Sequence, residues 1–178
     1  CRSRRDDSGC GMIGPRTPIP RMSPSPNIAD ALRACAREAP ARIAMRMPVG
    51  SARDGASAWR ELSYGELDRA SDEVAAGLAA LGIDPGTRCV LMVRPGEALF
   101  VLMFGLFKAG VVPVLVDPGI DRAALRACLA EARPAVFIGI PLAQLASIVL
   151  GWGRATLRTR ITVGRRWGWG GLTLDALR

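Results

Sequence analysis

The chain has 178 residues, enough for one domain with a hydrophobic core, and its hydrophobic content of 49% excludes a largely disordered protein. The net charge of +8 lies entirely in the two ends, because residues 27–150 carry thirteen basic and thirteen acidic side chains. A nucleic-acid-binding domain would instead carry a basic patch on its folded part. The absence of histidine excludes Ser-His-Asp and Cys-His catalysis, and histidine metal sites, within these residues.

The first 26 residues are rich in Arg, Ser and Pro and show no periodicity, so we expect a disordered leader outside the fold. The chain begins with Cys1, and Met22 would be a natural start, so we interpret residues 1–21 as upstream or processed sequence. The run Gly9-Cys-Gly-Met-Ile-Gly14 has the spacing of a dinucleotide-binding loop. That loop needs a strand before it and a helix after it, and neither fits here, so we reject this interpretation.

The five cysteines show no CxxC spacing, and three of them, Cys35, Cys89 and Cys128, fall at apolar positions of predicted elements. Buried free thiols in a reducing compartment are therefore expected. The N-terminal residues lack the charged and then apolar pattern of a secretory signal. Together these features predict a cytoplasmic protein.

Periodicity, capping residues and β-branched runs predict an alternation of strands and helices after residue 26. The expected helices cover 28–38, 63–81, 97–109, 121–132 and 142–150, and the expected strands cover 43–47, 58–62, 89–93, 111–116 and 135–140. The run Ser63-Tyr-Gly-Glu66 is a capping box that begins the second helix. Strand and helix alternate three times, which indicates right-handed βαβ crossovers, a parallel sheet and an α/β fold. The residues expected to face inward include Ile28, Ala31, Leu32, Cys35 and Ala36 in the first helix, and Leu125, Cys128 and Leu129 in the fourth.

The most apolar stretch runs from Glu97 to Ile120. It predicts a buried helix ended by Gly110, followed by a buried strand, 111–116, that is covered on both faces and ends at the turn 117–119. A membrane span needs about 20 apolar residues. The stretch is close to that length, but Lys108 and Pro113 interrupt it, so we expect no membrane span.

The pattern weakens after Gly151, where a strand at 160–163 and a helical turn at 172–177 are expected. These residues are interpreted as a half-built element of a larger domain. Three tryptophans lie among arginines here and allow an alternative function, a nucleic-acid-binding α/β module that binds single strands by charge and stacking. Their spacing is not that of a helix or a groove, so we expect no nucleic-acid partner. The residues concerned are Trp152, Trp167, Trp169, Arg154, Arg158, Arg160, Arg165 and Arg166.

Two segments resemble the core motifs of the adenylate-forming (AMP-binding) synthetases and ligases. Leu62-Ser-Tyr-Gly-Glu-Leu67 is similar to the first motif, and Phe107-Lys-Ala-Gly-Val-Val-Pro-Val-Leu-Val-Asp-Pro118 is similar to the second. The second departs from the common form, since its tyrosine is missing and Pro113 comes early. The amino-acid sequences of Val116–Ile120 and Phe137–Leu145 look most like those of a bacterial branch of fatty-acid CoA ligases that includes olefin β-lactone synthetases. The resemblance covers the chain from Asn27 onward.

The resemblance implies that residues 27–178 are the N-terminal part of an AMP-binding domain. The complete enzyme would use ATP and Mg²⁺ to activate a long-chain fatty or 3-hydroxy fatty acid, with a coenzyme A thioester or a β-lactone as product. The family's Ser/Thr- and Gly-rich phosphate loop and its C-terminal catalytic lysine have no counterpart in this sequence. We therefore expect the fragment itself to be inactive and to bind no cofactor.

No catalytic, cofactor-binding or metal residue is assigned from the resemblance. Lys108 is the only lysine, and we interpret it as a cation at the end of a helix rather than an ATP ligand. Asp117 and Asp121 are the only carboxylates close around one turn. They are interpreted as a strand-end turn and a helix cap rather than an acid–base pair or a Mg²⁺ site.

Overall fold

The computed structural model describes residues 27–49, 58–116 and 121–178. The expected leader, which contains the Gly9–Gly14 segment, lies outside these described residues. The turn that contains Asp117 lies outside them too. The elements in chain order are α1 (Ile28–Glu38), β1 (Ile43–Val49), β2 (Ala58–Ser63), α2 (Tyr64–Ala80), β3 (Arg88–Met92), α3 (Glu97–Lys108), β4 (Val112–Leu115), α4 (Arg122–Ala132), β5 (Val136–Gly139), α5 (Pro141–Val149), β6 (Thr159–Thr162), β7 (Leu172–Thr173) and α6 (Leu174–Leu177). No helix in these ranges is long and apolar enough to cross a membrane.

The α/β fold with a parallel sheet is confirmed. The strands lie in the order β4-β3-β5-β6-β7, and every pair of neighbours is parallel. The antiparallel pair β1-β2 forms a second, smaller sheet. Successive residues of β3 point to opposite sides of the large sheet, because Cys89 and Leu91 pack with α1, α2, α3 and α6, whereas Val90 packs with α4.

The expectation that the strand after Gly110 is covered on both faces is wrong in this structure. The crossover from β4 through α4 returns past β3 to β5, and this leaves β4 at the edge of the sheet. Its end residues Val112 and Leu115 are exposed, Leu115 by 61%. Pro113 is tolerated there because an edge strand lacks one neighbour. The helix stop itself is confirmed, since Gly110 has φ +69°, in the left-handed region.

The C-terminal region is part of the fold. β6 pairs with β5 and β7 pairs with β6, which extends the sheet at the edge opposite β4. Trp152, Leu174 and Leu177 are buried in the two hydrophobic clusters. The expected helical turn at 172–177 divides into β7 and α6.

Two predictions about inward-facing residues are also wrong. Helix α1 buries Ala29, Leu32 and Ala36 and leaves Ile28 and Ala31 exposed, so its buried face is rotated by about one position. Helix α4 buries Leu125 and Leu129 as expected, but Cys128 is exposed. Cys89 is fully buried, and burial raises the pKa of its thiol to about 12, which makes it unreactive at neutral pH.

The predicted capping box is present at the start of α2. The Ser63 hydroxyl accepts a hydrogen bond from the Glu66 amide at 3.3 Å, and the Glu66 carboxylate accepts from the Ser63 amide at 2.8 Å. The hydrogen bond from the Ser63 backbone is the largest cause of a lowered pKa for Glu66. This part of the first resembling motif therefore has a structural role.

Replacing Ser63 with Ala is expected to lower the free energy of unfolding by about 1 kcal/mol, because the first turn of α2 loses its side-chain acceptor. Urea denaturation of both forms measures the change. Since the pKa of Glu66 is lowered in the fold, its contribution is present at neutral pH and is lost as the pH falls through the folded pKa. A loss below about 0.3 kcal/mol would show that the box contributes little.

Candidate functional site

A cleft lies at the carboxyl end of the parallel sheet, where β3 and β5 are neighbours. Their last residues, Met92 and Gly139, are paired in the sheet register. The chain leaves β3 toward β4 on one side and leaves β5 toward β6 on the other. The divergence of these two connections opens a crevice, which is where open α/β sheets bind their ligands.

The cleft has a volume of about 940 Å³ and is mostly apolar. It is bounded by the ends of β3, β4 and β5 and by α3, α4 and α5. Its lining residues are Leu91, Met92, Val93, Arg94, Pro95, Leu99, Leu115, Val116, Leu125, Ile140, Leu142, Ala143, Leu145, Ala146, Val149, Leu150 and Trp152. A volume of this size is in the range of pockets that hold small organic ligands.

Helix α5 forms one wall of the cleft and has its polar and apolar faces reversed relative to an ordinary surface helix. Leu142 and Val149 are 61% and 72% exposed, whereas Gln144 and Ser147 are fully buried. The buried polar side chains are satisfied locally, since Gln144 donates to the carbonyl oxygen of Ile161 at 2.8 Å and Ser147 donates to that of Gln144. An exposed apolar face of this kind marks a surface that binds something apolar.

Among the described residues that line the cleft, one is charged, Arg94, and it is exposed. None of these described lining residues is a carboxylate, a cysteine, a serine or a lysine, so they offer neither a nucleophile nor a general base. The arrangement can bind an apolar group and place a negative charge near Arg94.

Lys108 lies away from the cleft, in the last turn of α3, and its side chain is 0% exposed. Its ammonium group donates to the carboxylate of Asp68 at 2.5 Å, to the carboxylate of Asp72 at 2.8 Å and to the carbonyl oxygen of Asp68 at 2.8 Å. All three donors are thus used to hold α3 against α2. The interpretation of Lys108 as a structural cation at a helix end agrees with this geometry.

Asp121 accepts hydrogen bonds from the amides of Ala123 and Ala124 at 2.9 and 3.3 Å, so it is the N-cap of α4 as predicted. Asp117 lies outside the described residues, and its expected turn role stays a prediction. In the described part of the chain no group of three or more His, Cys, Asp or Glu side chains is placed to hold a metal ion.

The Arg/Trp-rich residues do not form a continuous stacking surface. Trp152 is buried under α5, and Trp169 donates its indole N–H to the Thr162 hydroxyl at 3.2 Å. Trp167 is exposed and lies against Trp169, with ring centroids 5.8 Å apart. The nucleic-acid-binding alternative has no support from this geometry.

The sequence interpretation missed the cleft and the reversed helix. A signal was present, because Leu142, Leu145 and Val149 follow helical spacing while Gln144 and Ser147 lie on the other side of the same helix. Only the strand order shows that this apolar face borders the crevice rather than the core.

Comparison with known proteins connects this geometry to a family. The model of the family described as "AMP-binding enzyme" matches residues 32–164. Olefin beta-lactone synthetases of Xanthomonas campestris pv. campestris and Stenotrophomonas maltophilia are each 56% identical to the chain, over 155 and 153 residues. These alignments cover 86% and 85% of this chain but 28% of each relative, so the chain spans about a quarter of their length.

A solved structure shows the same fold. The apo structure of MbtA from Mycobacterium smegmatis superposes with a TM-score of 0.70 and 26% sequence identity. The superposition covers 85% of this chain and 27% of the MbtA chain.

Proposed function

The chain belongs to the AMP-binding enzyme family, and we propose that it forms part of an acyl-adenylate-forming ligase that activates a long-chain fatty or 3-hydroxy fatty acid. Family membership implies ATP-dependent chemistry. The observation that carries the substrate proposal is the 56% identity to two olefin beta-lactone synthetases over most of this chain. In the proposed reaction the 3-hydroxyl closes on the activated carboxyl group to give a β-lactone, and transfer to coenzyme A is the alternative outcome.

The described residues do not fit a site for ATP or Mg²⁺. The one lysine, Lys108, is buried and donates its three hydrogen bonds to Asp68 and Asp72. Among the described residues, the cleft lining has no carboxylate that could hold a cation. We therefore assign no step of the reaction to these residues, and we expect Mg²⁺ to leave any binding of ATP by the isolated chain unchanged, because the described residues offer no site for the cation.

We further propose that the cleft receives the hydrocarbon chain of the acid. Support comes from its position at the switch point, from its apolar lining and from its size. The exposed leucine and valine side chains of α5 would each contribute about 1.5–3 kcal/mol when an alkyl chain covers them completely. Arg94 is the one charge among the described lining residues that could attract a carboxylate.

Replacing Leu142 with Asp is expected to weaken binding of a long-chain acid by about tenfold or more, because a carboxylate would replace apolar surface in the cleft. Fluorescence titration of the chain with a conjugated polyene fatty acid, below its micelle concentration, measures the dissociation constant. Ile28→Asp is the matched control, since Ile28 is exposed to a similar degree, 58% against 61%, and does not line the cleft.

Equal losses in Leu142→Asp and Ile28→Asp, or no saturable binding to the unmodified chain, would contradict the assignment of the cleft. Either result would leave the proposed reaction class standing, since that class rests on sequence identity and not on the cleft.

A further inference from the structure

A second cavity, with a volume of about 320 Å³, lies between α5 and the C-terminal end of the chain, on the far side of the helix from the cleft. Its lining includes two arginines, Arg158 and Arg160, together with a tryptophan and two aliphatic residues. The lining residues are Ile148, Leu157, Arg158, Arg160, Trp169 and the pair Gly170–Gly171.

The side chain of Arg160 is fixed by neutral groups only. One of its terminal nitrogens donates to the Ser147 hydroxyl at 2.6 Å and to the Gln144 side-chain oxygen at 3.3 Å. Its guanidinium carbon lies 5.7 Å from the centre of the Phe137 ring. Partial burial lowers the pKa of Arg160, which shows that its positive charge is poorly hydrated.

The other two guanidinium nitrogens of Arg160 remain available to a ligand. They make no hydrogen bond to a described residue. No side-chain nitrogen that lacks a partner is fully buried in the described part of the chain, so these two keep some contact with solvent. Two adjacent donors on a planar guanidinium match the oxygens of a phosphate group.

No carboxylate balances the charge in this cavity. Neither Arg158 nor Arg160 takes part in an ion pair among the described residues. Residues 151–178 contain six arginines and one acidic residue, Asp175. Two cations on one cavity repel each other, and a bound anion would remove that repulsion.

Trp169 gives the cavity a fixed aromatic wall. Its indole N–H is held by Thr162, and the loop before β7 is tied back by a hydrogen bond from Arg166 to the carbonyl oxygen of Gly171. Ile148 and Leu157 complete the apolar part of the lining. A ligand with an anionic end and a flat or apolar body would satisfy both parts.

We propose that this cavity binds a phosphate monoester, with the phosphate on Arg158 and Arg160 and the organic group against Trp169. The Gln144–Ser147 pair on α5 is then the support that orients Arg160. This explains why two polar side chains are buried on a helix whose exposed face is apolar. The site is separate from the cleft and does not depend on the proposed ligase reaction.

Titration of the ¹⁵N-labelled chain with phenyl phosphate and with inorganic phosphate, at constant ionic strength, tests the proposal. The Arg160 side-chain N–H and Trp169 indole N–H signals are expected to shift together and to saturate. Phenyl phosphate is expected to bind about two- to tenfold more tightly than inorganic phosphate, because its ring packs on the indole. Trp169→Leu is expected to reduce that preference.

Arg158→Gln is expected to weaken phosphate binding by about tenfold, since a hydrogen-bonded charge is lost. Arg158 is exposed and makes no hydrogen bond through its side chain to a described residue, so this variant tests the site even if Arg160→Gln fails to fold. Arg165→Gln removes the same charge outside the cavity and is expected to change binding by less than about twofold. Shifts that do not saturate, or equal losses in Arg158→Gln and Arg165→Gln, would overturn the proposal.

Discussion

Replacing both Asp68 and Asp72 with Ala is expected to lower the free energy of unfolding by about 3 kcal/mol. The change leaves the ammonium group of Lys108, which is 0% exposed, with a single backbone carbonyl as acceptor. Removing the partners of a buried charge costs about 3–5 kcal/mol. We expect the lower end of that range, because Asp68 and Asp72 are 20% and 56% exposed and water can enter when they are shortened.

Lys108→Met is the informative control, since it removes the buried charge itself and keeps a side chain of similar length. Its expected cost is below about 1.5 kcal/mol, because the carboxylates that remain, Asp68 and Asp72, are 20% and 56% exposed and can be hydrated. Urea denaturation of the unmodified chain and of the two variants gives both changes in the free energy of unfolding. If the double Ala variant costs less than about 1 kcal/mol, the pair behaves as a surface ion pair and does not hold α3 against α2.

The substitution Gly105→Val is expected to cost about 3 kcal/mol through overpacking between α2 and α3. A Cβ atom at this position would lie 2.5 Å from Cγ1 and 2.7 Å from Cβ of Val74, and 3.2 Å from the carbonyl oxygen of Ser71. Val74 and Leu106 are fully buried at the same contact, so neither helix can move apart without loss of packing.

A double-mutant cycle with alanine tests this contact, and a separate valine variant measures the general effect of valine on helix stability. Val74→Ala combined with Gly105→Ala should be less destabilising than the sum of the two single changes, because the shortened side chain relieves part of the overlap. Ala79→Val, on an exposed part of α2, is expected to change stability by less than about 0.7 kcal/mol. Strict additivity in the cycle would contradict close contact at Gly105.

Local chemistry was sufficient to place most of the helices and strands from the sequence. The Ser63 capping box, the glycine stop at Gly110 and the Asp121 cap act within a few residues, and each is present in the structure. The apolar run through α3 and β4 correctly indicated a helix followed by a strand. These features depend on neighbours in sequence, which a single chain reveals.

Features that depend on strand order could not be predicted in the same way. The run of β-branched residues in β4 reads as a buried strand, yet β4 is at the sheet edge because α4 carries the chain back past β3. The cleft is assembled from the ends of three strands and from three helices, and no single segment contains its pattern. The burial of Trp152 and Leu174 also depends on strand order. They are covered because β6 and β7 extend the sheet, and the sequence near these residues does not reveal that order.

We propose that this chain is an interchangeable structural part of an acyl-adenylate-forming ligase. This proposal is tested most directly by grafting residues 27–178 into the Xanthomonas campestris olefin beta-lactone synthetase, in place of the segment that is 56% identical. The measurement is ATP-dependent pyrophosphate release with a long-chain 3-hydroxy acid. We predict a folded chimera whose rate lies within about tenfold of the unmodified relative, a loss of no more than about 1.4 kcal/mol in the activation free energy. A chimera that is soluble and melts cooperatively but releases no pyrophosphate would contradict the claim.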